Sequence, residues 1–482
     1  MNTDEFLKFM QIKTEDEMLE YSQNYLTGKY SFDTVMHEIA FLYNLGLFLS
    51  DHYSSANTPG SKEHLEYIFR NDDKYYYPIY FYLKAVKLYE VNKEKIDQYP
   101  DFIYETVRRC YVNLGNEFSN QFRTMSALPY FRKAIQLDPE FDMAIGNYAL
   151  CIEHHSPLVG YDRCDKVFNL LLELYRQVRI DHLDSGQELF QHKQIGYIMQ
   201  QQRYIREITI GNDPQYDPYG YFEKIFYDDT FEDWCVSRML YLNYINDIDD
   251  FAEAAFDIDL DALAPQLQLT QACGRLLRNM VDLFAHNRKK LFDCQDINVY
   301  TNQLELISIF NALYSFFDKT AYFLYMFFQL CIKDEREVSI ASIWRLKTGQ
   351  GNALLDYKNQ YLYNIYWLRK EYRDKPNKDF NVNELFSPDA HEYAELRNIF
   401  DHRGTFNLSD DNALRRIDPS DLYQKTTRLA RTARELILSI IQMVRTERKL
   451  VHPKTGIRDL DLIYFEYEGF VPSNPSKMSL DT

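Results

Sequence analysis

The residues best suited to do chemistry lie in one run, Ser387-Pro388-Asp389-Ala-His-Glu-Tyr-Ala-Glu-Leu-Arg397-Asn398-Ile-Phe-Asp401-His402-Arg403-Gly404. It brings a guanidinium, an amide and an imidazole close together, with no metal-ligand spacing beside them. Arg stays protonated and matches phosphate oxygens with a planar fork. His titrates near neutral pH, so it can take or give a proton. The combination predicts phosphate chemistry with no metal and no cofactor. Transfer at a phosphodiester to a neighbouring hydroxyl needs a base for the hydroxyl proton, an acid for the leaving oxygen and a cation on phosphorus. On this reading His402 carries protons and Arg397 clamps the phosphate. Asn398, one helical turn before His402, orients the imidazole.

These side chains need a helix that stops just after them, and the run reads as one. Ser387 can cap it, Pro388 suits its first position and Asp389 complements the positive end of the dipole. Gly404 can leave it in a left-handed conformation. Arg397 and His402 stand about 140° apart on an ideal helix, so they converge only where it tightens or ends. The helix C-terminus favours imidazolium at His402, while Arg397 and Arg403 oppose it. Arg397 and Asp401, four apart, also fit an ordinary surface ion pair. One chain offers one such histidine, whereas the chemistry needs two proton carriers. A two-fold homodimer would supply both.

The pattern Arg397-Asn398-x-x-x-His402 resembles the signature of HEPN-superfamily ribonucleases. Periodicity predicts helices over roughly 301–333, 352–373, 388–403 and 419–449, with a short turn or helix near 410–416. The last carries Asp418 as cap and Pro419 at its first position. Helices of this length joined by short connections form an up-and-down bundle. The resemblance implies the same architecture and a composite cleft between two bundles. It also implies a metal-independent endoribonuclease of the bacterial toxin or antiphage type, leaving a 2′,3′-cyclic phosphate. Ser315-Phe-Phe-Asp318-Lys319 is similar to the family's polar interruption of an apolar helix. Asp318 and Lys319 thus join Asp401 and Arg403 as accessory candidates, with a plain helix-surface pair as the alternative for the first two.

The formal charge of −18 argues against broad nucleic-acid binding. From Arg397 to Arg458, however, thirteen basic residues face seven acidic ones, a local excess of +6. Lys425, Arg428, Arg431 and Arg434 recur every three residues and predict a basic stripe for an RNA backbone; the alternative is a solvated helix face. The Asp-rich stretch Asp247–Asp261 lacks the glycine and distal glutamate of a calcium loop and reads as a solvated acidic face.

Residues 1–200 read as stacked helix pairs. Tyr111, Leu114, Gly115, Phe118, Ala127, Phe131, Ala134 and Pro139 fall at the eight signature positions of a tetratricopeptide repeat, and this window resembles that family. The small residues let two helices approach, and Pro139 ends the second. Leu42, Leu45, Gly46 and Leu49 echo the first helix. Such an array serves either as a scaffold or as a groove for a protein trigger or regulator. The expected organisation is all-α: repeats over 1–200, a helical connecting region over 201–300, the bundle over 301–450 and an extended tail over 451–482.

Gly and Pro are scarce, the seven cysteines are scattered, and the longest apolar runs, such as Phe323–Ile332, are too short to span a bilayer. These features predict a cytoplasmic protein with reduced thiols, away from membranes. Dinucleotide and P-loop glycine patterns, His-Glu-x-x-His and Gly-x-Ser-x-Gly are absent. The adjacent His154 and His155 would point apart on a helix. The rival to a nuclease is a non-catalytic adaptor, binding a protein partner or a nucleotide.

Overall fold

A computed structural model describes residues 6, 8–11, 14–54, 76–121, 123–158, 164–207, 230–248, 254–332, 334–345, 347–348, 351–352, 354, 357, 359–372, 387–402 and 418–451. Among these the chain is helical apart from a small antiparallel ribbon, Lys347–Thr348 with Gly351–Asn352. No described helix is long and apolar enough to cross a membrane.

The N-terminal half is a stack of helices, each packed on the next. They are α1 (Glu15–Leu26), α2 (Val35–Ser54), α3 (Tyr77–Val91), α4 (Arg108–Asn120), α5 (Thr124–Leu137), α6 (Asp142–His155), α7 (Cys164–Gln177) and α8 (Gln187–Glu207). Thr14 and Glu17 start α1 with a reciprocal capping box. The close approach within the stack comes from glycine facing a ring. A Cβ on Gly115 of α4 would stand 2.7 Å from the Phe131 ring of α5. Gly46 meets Tyr82 and Gly146 meets Phe190 in the same way. Tyrosines fill much of the interhelical space: Tyr76, Tyr77, Tyr82, Tyr111, Tyr148 and Tyr175 are fully buried.

A connecting segment follows, with α9 (Phe231–Ser237), capped by Thr230, and a short 3-10 turn at Ile245–Asp247. Its acid-rich continuation is only in part the solvated face expected. Asp247 is buried and paired with Arg434, and Asp257 takes the Arg288 guanidinium on both its oxygens, at 2.8 and 2.7 Å. A carboxylate can leave water when a guanidinium returns its hydrogen bonds.

The C-terminal half comprises α10 (Leu260–Leu267), α11 (Gln271–Asp293), α12 (Tyr300–Tyr314), α13 (Phe316–Phe327), α14 (Gln360–Leu368), α15 (Ala390–His402) and α16 (Pro419–Val451). The long α16 is central and packs against α10, α11, α12, α13 and α14. From Leu429 to Val444 it is buried nearly all round, as expected of a helix with neighbours on every side. Asp418 caps it, accepting from the Ser420 N–H at 2.8 Å. The single helix expected over 301–333 is instead α12 and α13, broken at Ser315, whose hydroxyl donates to the Ala312 carbonyl at 2.6 Å. The helix expected over 352–373 is shorter, Gln360–Leu368 continued by a 3-10 turn to Glu371. The turn expected near 410–416 and the tail lie outside the described residues.

The two halves meet along a polar seam. His155 of α6 is sealed from solvent, one ring nitrogen 2.9 Å from the Thr124 hydroxyl and the other 2.9 Å from the Tyr244 carbonyl. Its neighbour His154 is exposed, so the two do point apart. Arg132 of α5 donates to the Ile248 carbonyl at 2.8 Å, and Ser126 donates to Glu435 of α16 at 2.8 Å.

Candidate functional site

The helix that carries Arg397 opens with a turn rather than with proline inside it. Ser387 is buried; its hydroxyl accepts from the Asp389 N–H at 3.4 Å and its carbonyl accepts from Ala390 at 2.9 Å. Helix α15 then starts at Ala390, two residues later than Pro388 would set it. The Asp389 carboxylate is more than a dipole complement. Burial would raise its pKa, but Arg428 at 2.7 Å and Lys87 outweigh that and hold it below the usual carboxylate range.

One face of α15 is aromatic and lies against α12. Tyr393 stacks on Phe310 with ring centres 5.9 Å apart, and Phe400 meets Phe310 edge-on at 5.5 Å. Arg397 lies one turn from each, being i+4 from Tyr393 and i−3 from Phe400. Its guanidinium therefore sits over the Tyr314 ring, 5.5 Å from the centre, half-buried. Tyr314 is fixed in turn by donating its hydroxyl to the Tyr372 carbonyl at 2.7 Å. Asn398, next along the helix, is exposed. The described part of the helix runs to His402, and the expected stop at Gly404 lies outside the described residues. The side chains of Asp401 and His402, and the whole of Arg403, lie outside the described residues.

Of the accessory residues, Lys319 is half-buried and donates to Ser315 at 2.5 Å on its own helix. Burial lowers its pKa against the pull of the neighbouring Asp318. Asp318 is exposed at the start of α13.

The basic stripe expected on α16 is not one surface. Arg431 is exposed. Lys425 is held by Asp421 and by Glu392 at 3.4 Å, and Arg428 by Asp389 and by Glu371 at 3.4 Å. Arg434 is buried; it clasps Asp247 at 2.6 and 3.0 Å and donates to the Tyr241 and Asn243 carbonyls. The reason is geometric. A step of three residues turns about 300°, so the row slips back about 60° each time and its first and last members face opposite ways. Arg434 is thus a structural cation of the seam and does not lie on a nucleic-acid face.

Two features of the site went unseen in the sequence. Tyr314 supplies the ring beneath Arg397, and its only local signal is its position just before the Ser315 break. Glu371, which binds Arg123 and Arg428, belongs to the short turn after α14, where nothing in the local pattern singles it out.

Residues 277–447 match the LA2681-like HEPN family model, so the chain carries a HEPN-family domain that spans α12 to α15 and most of α11 and α16. No curated protein and no solved structure matches the chain.

Proposed function

We propose that this protein is a metal-independent endoribonuclease whose HEPN-family domain cleaves RNA by attack of its own 2′-hydroxyl. What supports the reading is that α15, within that domain, carries Arg397, Asn398 and His402 in its last described turns, with Arg397 half-buried beside Tyr314. The 2′-hydroxyl loses its proton to one imidazole and its oxygen bonds to phosphorus. The bond to the 5′-oxygen breaks, and that oxygen takes a proton from a second imidazole. The products are a 2′,3′-cyclic phosphate and a 5′-hydroxyl. Arg397 holds the extra charge on the phosphoryl oxygens. Asn398, one turn before His402, orients the ring. Two proton carriers require two chains, so the active form is a homodimer joined through the bundles, with His402 contributed by each.

The helix stack is read as a tetratricopeptide-like array. Support comes from the tight meeting of Gly115 and Phe131 between α4 and α5, where the repeat signature calls for a small residue against a large one. A nuclease free in its own cytoplasm would destroy the cell's RNA. The array is therefore the control region, taking a protein trigger or regulator, and the whole acts as a regulated toxin or antiphage effector.

The test is digestion of tRNA and mRNA with EDTA present. Wild type should cleave, leaving cyclic-phosphate ends, and His402→Ala should lose at least 100-fold in rate. A second reading, a non-catalytic adaptor for a protein or nucleotide, draws support from the charge of −18 and from the internal pairing of Arg428 and Arg434. Equal absence of cleavage in both proteins, with and without a candidate activator, would select it.

A further inference from the structure

A chain of charged contacts runs from the helix stack to the candidate site. It begins at Lys87 on α3, whose ammonium meets Asp389 and stands 3.9 Å from Glu392. Asp389 immediately precedes the first residue of α15, and its carbonyl accepts from the Tyr393 N–H at 3.1 Å. The Asp389 carboxylate also takes Arg428 of α16, which reaches Glu371 at 3.4 Å. Glu371 in turn takes Arg123, which joins α4 to α5 and is buried. The next carbonyl, that of Tyr372, fixes the Tyr314 hydroxyl, and the Tyr314 ring lies under Arg397. The stack therefore touches the helix of Arg397 and His402 at its N-terminal end and, by a separate route, touches the support of Arg397.

We propose that this clamp is the means by which the helix stack restrains the site: Lys87 holds the start of α15, and Arg123 holds the turn that keeps Arg397 on Tyr314. The proposal rests on the nuclease reading for its effect on catalysis, though not for the restraint itself. The two grips differ in what can release them. The Arg123–Glu371 pair is sealed, and breaking it leaves a buried carboxylate short of its partner. The Lys87 side chain is 41% exposed, so it is open to competition by an anionic group on a partner of the stack. Release at Lys87 frees the first turn of α15 while Arg428 keeps Asp389 paired. The helix can then shift, and Arg397 can leave the ring for a phosphate. Lys87 is a positioning residue in this scheme, acting on α15 through Asp389.

Spatial continuity alone does not establish coupling, so the test perturbs one end and reads the other. Hydrogen exchange of the amides of 390–402 is compared in the full chain for wild type, Lys87→Met, Lys87→Arg and Lys133→Met. The last removes a surface pair with Glu90, one turn along α3 from Lys87, and so tests whether loss of any neighbouring pair has the same effect. Cleavage of tRNA in EDTA is measured on the same preparations. Lys87→Met should speed exchange at least fivefold and cleavage at least threefold, Lys87→Arg should restore both, and Lys133→Met should change neither. Unchanged exchange in Lys87→Met overturns the clamp. So does faster exchange with unchanged or slower cleavage in a protein that cleaves, because the grip would then not restrain the site. If no form cleaves, the nuclease reading fails instead, and the exchange result alone decides whether the stack holds α15.

Discussion

The helix stack and the seam beside α16 are held by different physics. In the stack, glycine meets ring: Gly46 with Tyr82, Gly115 with Phe131, Gly146 with Phe190. Fit decides there, and the partners lie in helices close together along the chain. At the seam, charge meets charge across long separations, as in Arg434 with Asp247, Arg123 with Glu371 and Lys87 with Asp389. Buried ion pairs add little net stability over apolar packing, yet they cost much when half broken. A contact of the first kind tolerates small adjustments; a buried pair such as Arg434–Asp247 or Arg123–Glu371 is nearly all or none, and the part-exposed Lys87–Asp389 pair is open to competition. A stack held by fit and joined to the bundle by charge can loosen at the seam without unfolding.

The largest effect expected from that contrast is at Arg434. Burial raises the pKa of Asp247, but Arg434, with His155 adding to it, more than offsets that and keeps the carboxyl low. Arg434→Met strands this carboxylate and should cost about 3–5 kcal/mol in urea unfolding. Its low pKa also means that stability at this pair is lost as pH falls through the folded value. A variant that kept full stability and lost only RNA affinity would place Arg434 on a binding surface and undo the distinction between seam and stripe.

Glu117 carries the comparison into the stack, where it is a buried carboxyl with no cation paired to it among the described residues. It accepts from the Ser50 hydroxyl, and burial pushes its pKa from 4.5 up to about 7, Ser50 pulling the other way and Asp51 adding to the rise. Below about pH 4.5 the group is protonated in both folded and unfolded chains, and its contribution is fully present. As pH climbs toward 7 the unfolded chain ionises first and stability falls, by up to about 3 kcal/mol above pH 7. Glu117→Gln should remove that slope, gaining most at pH 8 and little at pH 5 when unfolding midpoints are compared. A midpoint difference that is the same at both pH values would show that Glu117 is not held protonated.

What was legible in the sequence follows the same division. The starts of α16 and, to within two residues, of α15 came through because their signals are local: Asp418 before Pro419 and Ser387 ahead of α15. Gly115 was legible as a small residue where two successive helices approach, and the ring it meets there is Phe131 of the next helix. The seam was not, since its partners lie 187, 248 and 302 positions apart and no local pattern links them. Lys425 to Arg434 misled because a three-residue row looks straight in print and winds around a real helix. Arg397 could be placed on a helix from its neighbours, but its ring partner Tyr314 comes from another helix and needed the fold.

The smallest effect, at Gly115, tests the stack's side of the comparison most finely because two terms oppose. Alanine in a helix gains about 1 kcal/mol over glycine. Against that, its methyl would stand 2.7 Å from the Phe131 ring, and overpacking costs about 1–3 kcal/mol. Gly115→Ala should therefore destabilise by about 1 kcal/mol net. Shrinking the ring removes the clash and keeps the propensity, so adding Gly115→Ala to Phe131→Leu should stabilise that variant. Gly274 of α11 serves as the control: among the described residues a methyl there meets Leu269 alone, at 4.0 Å, and Gly274→Ala should stabilise the wild type directly. If Gly115→Ala stabilised both backgrounds equally, the ring would be yielding at no cost, and close fit would not be what holds α4 to α5.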